Sequence, residues 1–275
     1  MKTSHVIAIT LGTTLFAGCA TTTAPGKTGV ERKQFMMLSE QQVQNMSNES
    51  YLATIQDAKS RKALNNDAKQ VERVRGISQK LIQQTTHFRQ DAINWKWEVN
   101  VETNDQVNAY VMPGGKIMVF TGLIEKLNAT DDELAAVIGH EIAHALREHG
   151  RERMSIAYAQ QMGLTGLAVL ASTSSNQTAA AAGVQAAALG SNLFFALPNS
   201  REQERESDRI GLELAARAGY NPNAAVSLWQ KMSQLGGGSP PEFLSTHPSS
   251  ASRIADLQKM VPSVMPLYQE ARSKS

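Results

Sequence analysis

The sequence predicts an α+β fold, mainly helical, with a small antiparallel sheet. Three observations carry that prediction. Apolar residues recur at helical spacing from Ser39 to about Lys59, from Asn66 to about Thr86, and again beyond Asp131. Three short runs rich in Val, Trp and Phe read as strands: Trp95–Val101, Val107–Val111 and Ile117–Phe120, bounded by polar or Gly-Pro punctuation. The 275 residues suffice for one good-sized core or two small domains, and no internal repeat is visible. The formal charge is +2 without a basic stripe, so nucleic acid is not an expected partner.

Taken in order, residues 1–18 have Lys2 near the start and an apolar run from Val6 to Ala17. They read as a secretory leader, too short to be a membrane span. Ala17 and Gly18, directly before the only cysteine, resemble a bacterial lipoprotein signal, with Phe16 where leucine is usual. Cys19 is then expected to become the lipidated first residue, and a lone cysteine excludes an intramolecular disulfide. Ala20 stands in place of the aspartate that marks inner-membrane retention. The expected location is therefore the periplasmic face of an outer membrane, with membrane contact through the lipid alone and outer-membrane proteins as partners. Residues 19–34 are small and polar, with Pro25, Gly26 and Gly29, and are expected to form a flexible tether. The folded domain is expected over 35–262 and a loose polar tail over 263–275.

The first two helical stretches read as scaffold, the second with Val71, Val74, Ile77, Leu81 and Ile82 at helical spacing. From Asn108 to Lys116 the sequence reads as a strand, a Pro113-Gly114 turn and a returning strand. If the first of these lies at an open edge, the stretch containing Asn108 and Ala109 would pair its free N–H and C=O groups with an extended peptide substrate. An ordinary supporting hairpin fits the same residues equally well.

The next helix carries the chemistry. Thr130 with Glu133 forms a capping box, Asp131, Asp132 and Glu133 supply acid to the first turn, and Arg147, His149 and Gly150 suit the far end, so a helix is expected from about Asp131 to His149. Within it lies H-E-x-x-H, His140 to His144. Helical periodicity puts the two imidazoles about 40° apart on one face, able to grip one metal ion while Glu141 addresses its water. Zinc suits such nitrogen donors and keeps a coordination position for water in a catalytic site. Leu134, Ala135, Ile138, Ile142, Ala145 and Leu146 cover the rest of the circumference, so the helix should be central and its histidines partnered. His149, about 180° from His140 on a continuous helix, is not expected to be a ligand.

Met162–Ala171 and Thr178–Leu197, rich in Ala, Gly and Leu, read as a helical hairpin, neither half long and apolar enough to span a bilayer. Ser200 with Gln203 then caps a second decisive helix. On its wheel Glu202, Glu206, Arg209 and Glu213 cluster as a solvated charged face. Opposite them Glu204, Asp208, Gly211, Ala215 and Ala218 form a stripe of small residues headed by two carboxylates, whose burial needs a cation or hydrogen-bond donors. Glu204 is the expected third ligand, and Asp208, one turn on, is expected to orient a ligand histidine through its other ring nitrogen.

H-E-x-x-H followed by E-x-x-x-D at Glu204 to Asp208 resembles the gluzincin peptidases, in the branch that holds the CAAX prenyl endopeptidase and the heat-shock protease HtpX. The likeness is greatest to small lipoprotein members without transmembrane helices, runs from about Phe35 to Met260, and takes in Asn108-Ala109, Pro113-Gly114-Gly115, Thr121-Gly122-Leu123 and Thr246-His247-Pro248 with Arg253. Ser207 stands where that family commonly has alanine. The resemblance implies a zincin-like domain and brings His247 to the active site, where it either hydrogen-bonds the oxyanion of the tetrahedral intermediate or fills the zinc's open position at rest. A loop histidine that only caps the following helix fits the same residues.

The expected protein is a zinc-dependent endopeptidase with one ion per chain, Glu141 moving the proton, and misfolded or unassembled envelope proteins or peptides as substrates. The competing expectation is a non-catalytic, chaperone-like lipoprotein on a peptidase frame.

Overall fold

The computed structural model describes residues 18–171, 198–235, 241–248 and 251–274. Residues 1–17 of the expected leader and the expected helix over 178–197 lie outside them. Among the described residues the chain is mainly helical. A two-stranded ladder pairs β1 (Gly18–Ala20) with β2 (Gln34–Met36), and β3 (Glu98–Glu102), β4 (Ala109–Met112) and β5 (Lys116–Phe120) form a second sheet. Around them lie α1 (Glu40–Ser60), α2 (Ala68–Ile82), α3 (Thr121–Lys126), α4 (Asp131–Leu146), α5 (His149–Ala171), α6 (Arg201–Arg217), α7 (Asn223–Gln234), α8 (Glu242–Thr246) and α9 (Ala251–Ser273).

Local chemistry sets the helix starts. Ser39 with Gln42, Thr130 with Glu133 and Ser200 with Gln203 each close a reciprocal capping box, satisfying N–H groups that the first turn leaves without partners. Asp67 caps α2 by accepting from the N–H groups of Lys69 and Gln70. In α4 every residue from Glu133 to Leu146 is buried, as expected of a helix packed on several sides.

The α4–α6 contact is made by the small stripe. A Cβ placed on Gly211 would stand 2.7 Å from His140 N, so the two backbones touch where any larger residue would hold them apart. From Gly139 against Gly211 to His144 against Glu204, contacts advance along α4 and retreat along α6, so the helices run antiparallel.

The sheet is mixed rather than antiparallel throughout. Its order is β3-β5-β4, with β3 and β5 parallel and β4 and β5 antiparallel. Apolar periodicity specifies strands but not their partners; here the segment 103–108 carries the chain past the position that β5 later fills. β4 is left at an edge. Residue pairs 108/120, 110/118 and 112/116 face each other through hydrogen bonds, so Ala109 and Val111 direct their backbone groups outward.

Two expectations about the termini are corrected. The segment over 19–34 is packed onto the domain instead of hanging as a tether: Thr23, Thr28, Val30 and Gln34 are buried, and Ala24 N–H donates to Phe88 O at 2.8 Å. It docks on the face of α6 that was expected to be solvated. Glu213 Oε2 accepts from the backbone N–H of Lys27 at 2.6 Å and of Thr28 at 3.2 Å, and Glu206 accepts from Arg32. Glu206 and Glu213 are accordingly buried. The residues over 263–275 likewise continue α9 to Ser273 through Pro262 and Pro266, because Leu257, Val261 and Val264 keep one side of the helix in the core. None of the described helices is long and apolar enough to cross a membrane.

Candidate metal centre

α4 supplies His140, Glu141 and His144, α6 supplies Glu204 and Asp208, and the turn after α8 supplies His247. All are buried. One ligating atom from each of His140, His144, Glu204 and His247 lies within 4.8 Å of the others. His140 Nε2 stands 3.1 Å from His144 Nε2, 3.4 Å from Glu204 Oε2 and 3.3 Å from His247 Nδ1. Glu204 Oε1 is 3.2 Å from His144 Nε2 and 2.9 Å from His247 Nδ1.

These separations test the fit to a metal. Bonds of about 2.0–2.1 Å in a tetrahedron place neighbouring ligand atoms about 3.3 Å apart. With Glu204 Oε1 as the carboxylate corner, the four distances to and between His140 Nε2, His144 Nε2 and His247 Nδ1 given above run from 2.9 to 3.3 Å, at or just under that edge length. Three imidazoles and one carboxylate are also a donor set that suits zinc.

The electrostatics fit as well. Burial pushes the Glu204 carboxyl toward its neutral form, but His247, His140 and His144 outweigh it and hold its pKa well below the usual carboxylate range. Burial lowers the proton affinity of His140, while Asp208 and Glu204 more than offset that and bring its pKa to about 9. Burial keeps His144 well below the ordinary histidine value. Glu141 is raised, chiefly by burial, and its Oε1 lies 3.4 Å from His247 Nε2. A carboxylate with raised proton affinity beside the ligands is suited to taking and returning a proton.

Asp208 Oδ1 lies 3.0 Å from His140 Nδ1, a close but oblique approach. Asp208 is itself gripped by Arg253, whose Nε and Nη2 donate to its two oxygens at 2.7 Å each. Arg253 also reaches Glu204 Oε2 at 2.6 Å through Nη1, and its guanidinium sits 4.0 Å over the Trp229 ring. In the sequence Arg253 stands out only through the family resemblance; its Asp208–Glu204 clamp joins α9 to α6 and has no local signal.

His247 is set by the α8 turn. Its N–H donates to Phe243 O at 2.9 Å, its ring stacks on Phe243 with centroids 4.4 Å apart, and Asn199 Nδ2 lies 3.3 Å from its Nδ1. A cleft beside the cluster is lined by Asn108, Ala109, Tyr110, Glu141, His144 and His247, among others. The edge strand β4 thus forms one wall, as the peptide-pairing expectation requires. Asn108 Oδ1 accepts the outward N–H of Ala109 at 2.9 Å. Arg153 on α5 lines the same cleft, donates to Asn199 Oδ1, and has its pKa lowered by burial to about 10.

His149 is placed differently from the expectation. α4 ends at Leu146, Arg147 caps it, and Glu148 turns the chain with φ +52°, so His149 starts a new helix instead of continuing the old one. The turn carries His149 back against the ligands: its Nδ1 is 2.9 Å from His144 Nδ1 and its Nε2 is 2.9 Å from Glu206 Oε2. Burial, reinforced by Arg147, holds its pKa well below the ordinary value. Cys19 lies in β1, paired in register with Phe35.

Residues 68–261 match the model of peptidase family M48. The chain is similar to the mitochondrial metalloendopeptidase OMA1 of Bos taurus, with 32% identity over 246 residues, covering 85% of this chain and 45% of that protein. It is 37% identical over 169 residues to the mitochondrial metalloendopeptidase OMA1 of Schizosaccharomyces pombe, covering 61% of this chain and 47% of the relative. To the beta-barrel assembly-enhancing protease of Escherichia coli it is 30% identical over 171 residues, 60% of this chain and 34% of that protein. The chain spans about half or less of the length of the curated relatives it matches.

Proposed function

Given that the chain belongs to peptidase family M48, we propose that it is a zinc metalloendopeptidase that cuts misfolded or unassembled proteins of a bacterial envelope. The observation that carries the reading is the convergence of His140, His144 and Glu204, with Glu141 alongside, under the outer edge of β4. M48 metallopeptidases use zinc, and the donor set suits one ion per chain.

His140, His144 and Glu204 would hold the ion, with Asp208 behind His140. Zinc, when bound, supplies Lewis acidity to the scissile carbonyl and brings the pKa of its water toward about 7. Glu141, buried and raised in proton affinity, takes the proton of the attacking water and returns it to the leaving nitrogen. The outward N–H and C=O of Val111, with the C=O of Ala109, receive an extended peptide as an added strand and lay its carbonyl over the ligands. That mode needs unfolded chain, which favours misfolded proteins over native ones.

For His247 the geometry favours the self-blocking reading over the oxyanion one. Its Nδ1, 2.9 Å from Glu204 and 3.3 Å from His140, takes the fourth corner of the donor set. Substrate entry then requires this turn to move. His247→Ala should raise turnover with zinc content unchanged; a loss of turnover at unchanged zinc content would assign the residue to the oxyanion.

The leader and Cys19 support export and lipid anchoring at the outer membrane with outer-membrane proteins as partners, and the name of the Escherichia coli relative, a beta-barrel assembly-enhancing protease, supports proteins of β-barrel assembly among its partners or substrates. Placement in the HtpX and CAAX branch belongs to the same proposal. Casein digestion with and without chelator separates this enzyme from a chaperone-like lipoprotein, which would cut nothing in either case. Comparing envelope peptides from cells carrying the active enzyme or Glu141→Gln would then identify the substrates.

A further inference from the structure

The two histidines of the metal site are backed by different groups. His140 leans on the carboxylate of Asp208. Behind His144 stands a second imidazole, that of His149, with Glu206 beyond it.

The protons in this chain can be placed by donor and acceptor capacity. Glu206 is ringed by cations: Arg147 reaches Oε2 from Nε at 3.1 Å and from Nη2 at 3.0 Å, and Arg32 Nε reaches Oε1 at 2.6 Å. Both of its oxygens thus already accept from arginine N–H groups, so in the 2.9 Å contact His149 Nε2 is the donor and carries a hydrogen. A neutral imidazole has one N–H, which leaves His149 Nδ1 as an acceptor. Two donors lie within reach of it: His144 Nδ1 at 2.9 Å and, farther off, the Ser207 hydroxyl at 3.3 Å. A second proton, on Nδ1, would make His149 a donor to His144 Nδ1 and move the hydrogen of His144 to Nε2, which faces His140 Nε2 at 3.1 Å and Glu204 Oε1 at 3.2 Å where the ion would sit. In the other tautomer of His144, two lone pairs would oppose each other at 2.9 Å and an N–H would point at the ligand cluster.

We propose that His149 is a positioning residue for the metal ligand His144: held through Nε2–H by Glu206, it accepts the Nδ1–H of His144 and so keeps His144 Nε2 bare and aimed at the ion. The inference rests on the reading of His140, His144 and Glu204 as a metal site. It also accounts for the backbone at Glu148, where a non-glycine residue adopts φ +52°. That conformation is unfavourable for a residue with a Cβ and persists only where its surroundings fix it. Arg89 and Arg151 both bind the Glu148 side chain, and the turn they secure is what returns His149 to His144. Through Arg32, the N-terminal segment becomes part of the support of the metal site: Arg32 holds Glu206, Glu206 holds His149, and His149 holds His144.

The test measures zinc affinity of the full chain by competition with a chelating dye. Wild type and His144→Ala establish the site first: if wild type binds no zinc, or His144→Ala binds it equally well, the metal reading itself fails. With that site established, His149→Leu removes the acceptor and should weaken zinc binding about 10- to 100-fold, whereas His149→Asn, which sets an oxygen near the former Nδ1, should restore most of it. Unchanged affinity in a folded His149→Leu protein overturns the proposal and leaves the metal site standing. Nitrogen NMR of histidine tautomers in zinc-loaded wild type reads the same proton placement without any variant. Hydrogen on His144 Nδ1 and on His149 Nε2 is expected; hydrogen on His149 Nδ1 would refute it.

Discussion

Replacing Gly211 by alanine tests whether backbone contact between α4 and α6 sets the metal site. The added Cβ would stand 2.7 Å from His140 N and 2.8 Å from His140 Cα, against an ordinary contact of at least 3.4 Å. Relief requires the helices to separate locally by about 0.7 Å, and neither contacted atom is the end of a flexible side chain. Alanine in a helix interior is otherwise favoured over glycine by about 0.5–1 kcal/mol, so propensity alone predicts a gain in stability. Overpacking of about 1–3 kcal/mol opposes it, and with rigid backbone on both sides a net loss of about 2 kcal/mol is expected. For a chain of this size that lowers Tm by about 4–8 °C. The displacement also exceeds the tolerance of about 0.5 Å for a working site, so zinc affinity should fall at least about tenfold. Thermal unfolding and dye competition on the same preparation measure both. A variant as stable as wild type, with unchanged zinc affinity, would refute the claim that the small stripe positions Glu204 against His140 and His144.

Other outcomes follow from the same geometry. Glu141→Gln should retain one zinc and lose peptide hydrolysis, measured by metal analysis and a casein digest. Arg253→Met strips Asp208 and Glu204 of a buried cationic partner and should cost about 3–5 kcal/mol in urea unfolding; a change below about 1 kcal/mol would show that the clamp is dispensable. Val111→Pro deletes one outward N–H of the edge strand without touching the β5 ladder, and should reduce kcat/KM on unfolded protein about tenfold, the worth of one hydrogen bond, at unchanged zinc content. If long substrates are cut as well as before, peptide does not bind by strand addition at that residue.

Much of the site was legible because it is local. H-E-x-x-H has a fixed helical geometry, and the wheel of α6 separated Glu204 and Asp208 from the remaining acids, so four residues at the centre could be read from two short segments. The structure brings all four together, with Glu141 beside them. The same wheel misjudged Glu206 and Glu213, because what covers them is a distant segment, 20–34, that docks largely through backbone N–H groups and one arginine. Composition reports side chains and is blind to such docking. His149 was misplaced for a different reason: periodicity assumes a continuous helix, and a single positive φ at Glu148 undoes that assumption. A charged residue in the left-handed region carries no sequence signature of the kind glycine would have given. The sheet order escaped for want of a pairing signal, and α9 for want of any sign that Pro262 and Pro266 would be carried within a helix.

Anomalous X-ray diffraction across the zinc absorption edge, on crystals of the full chain grown with zinc, tests the central claim most directly. One peak per chain is predicted, at about 2.0–2.2 Å from a nitrogen of His140, a nitrogen of His144 and an oxygen of Glu204. A zinc peak elsewhere, or Glu204 turned away from the ion, would contradict it.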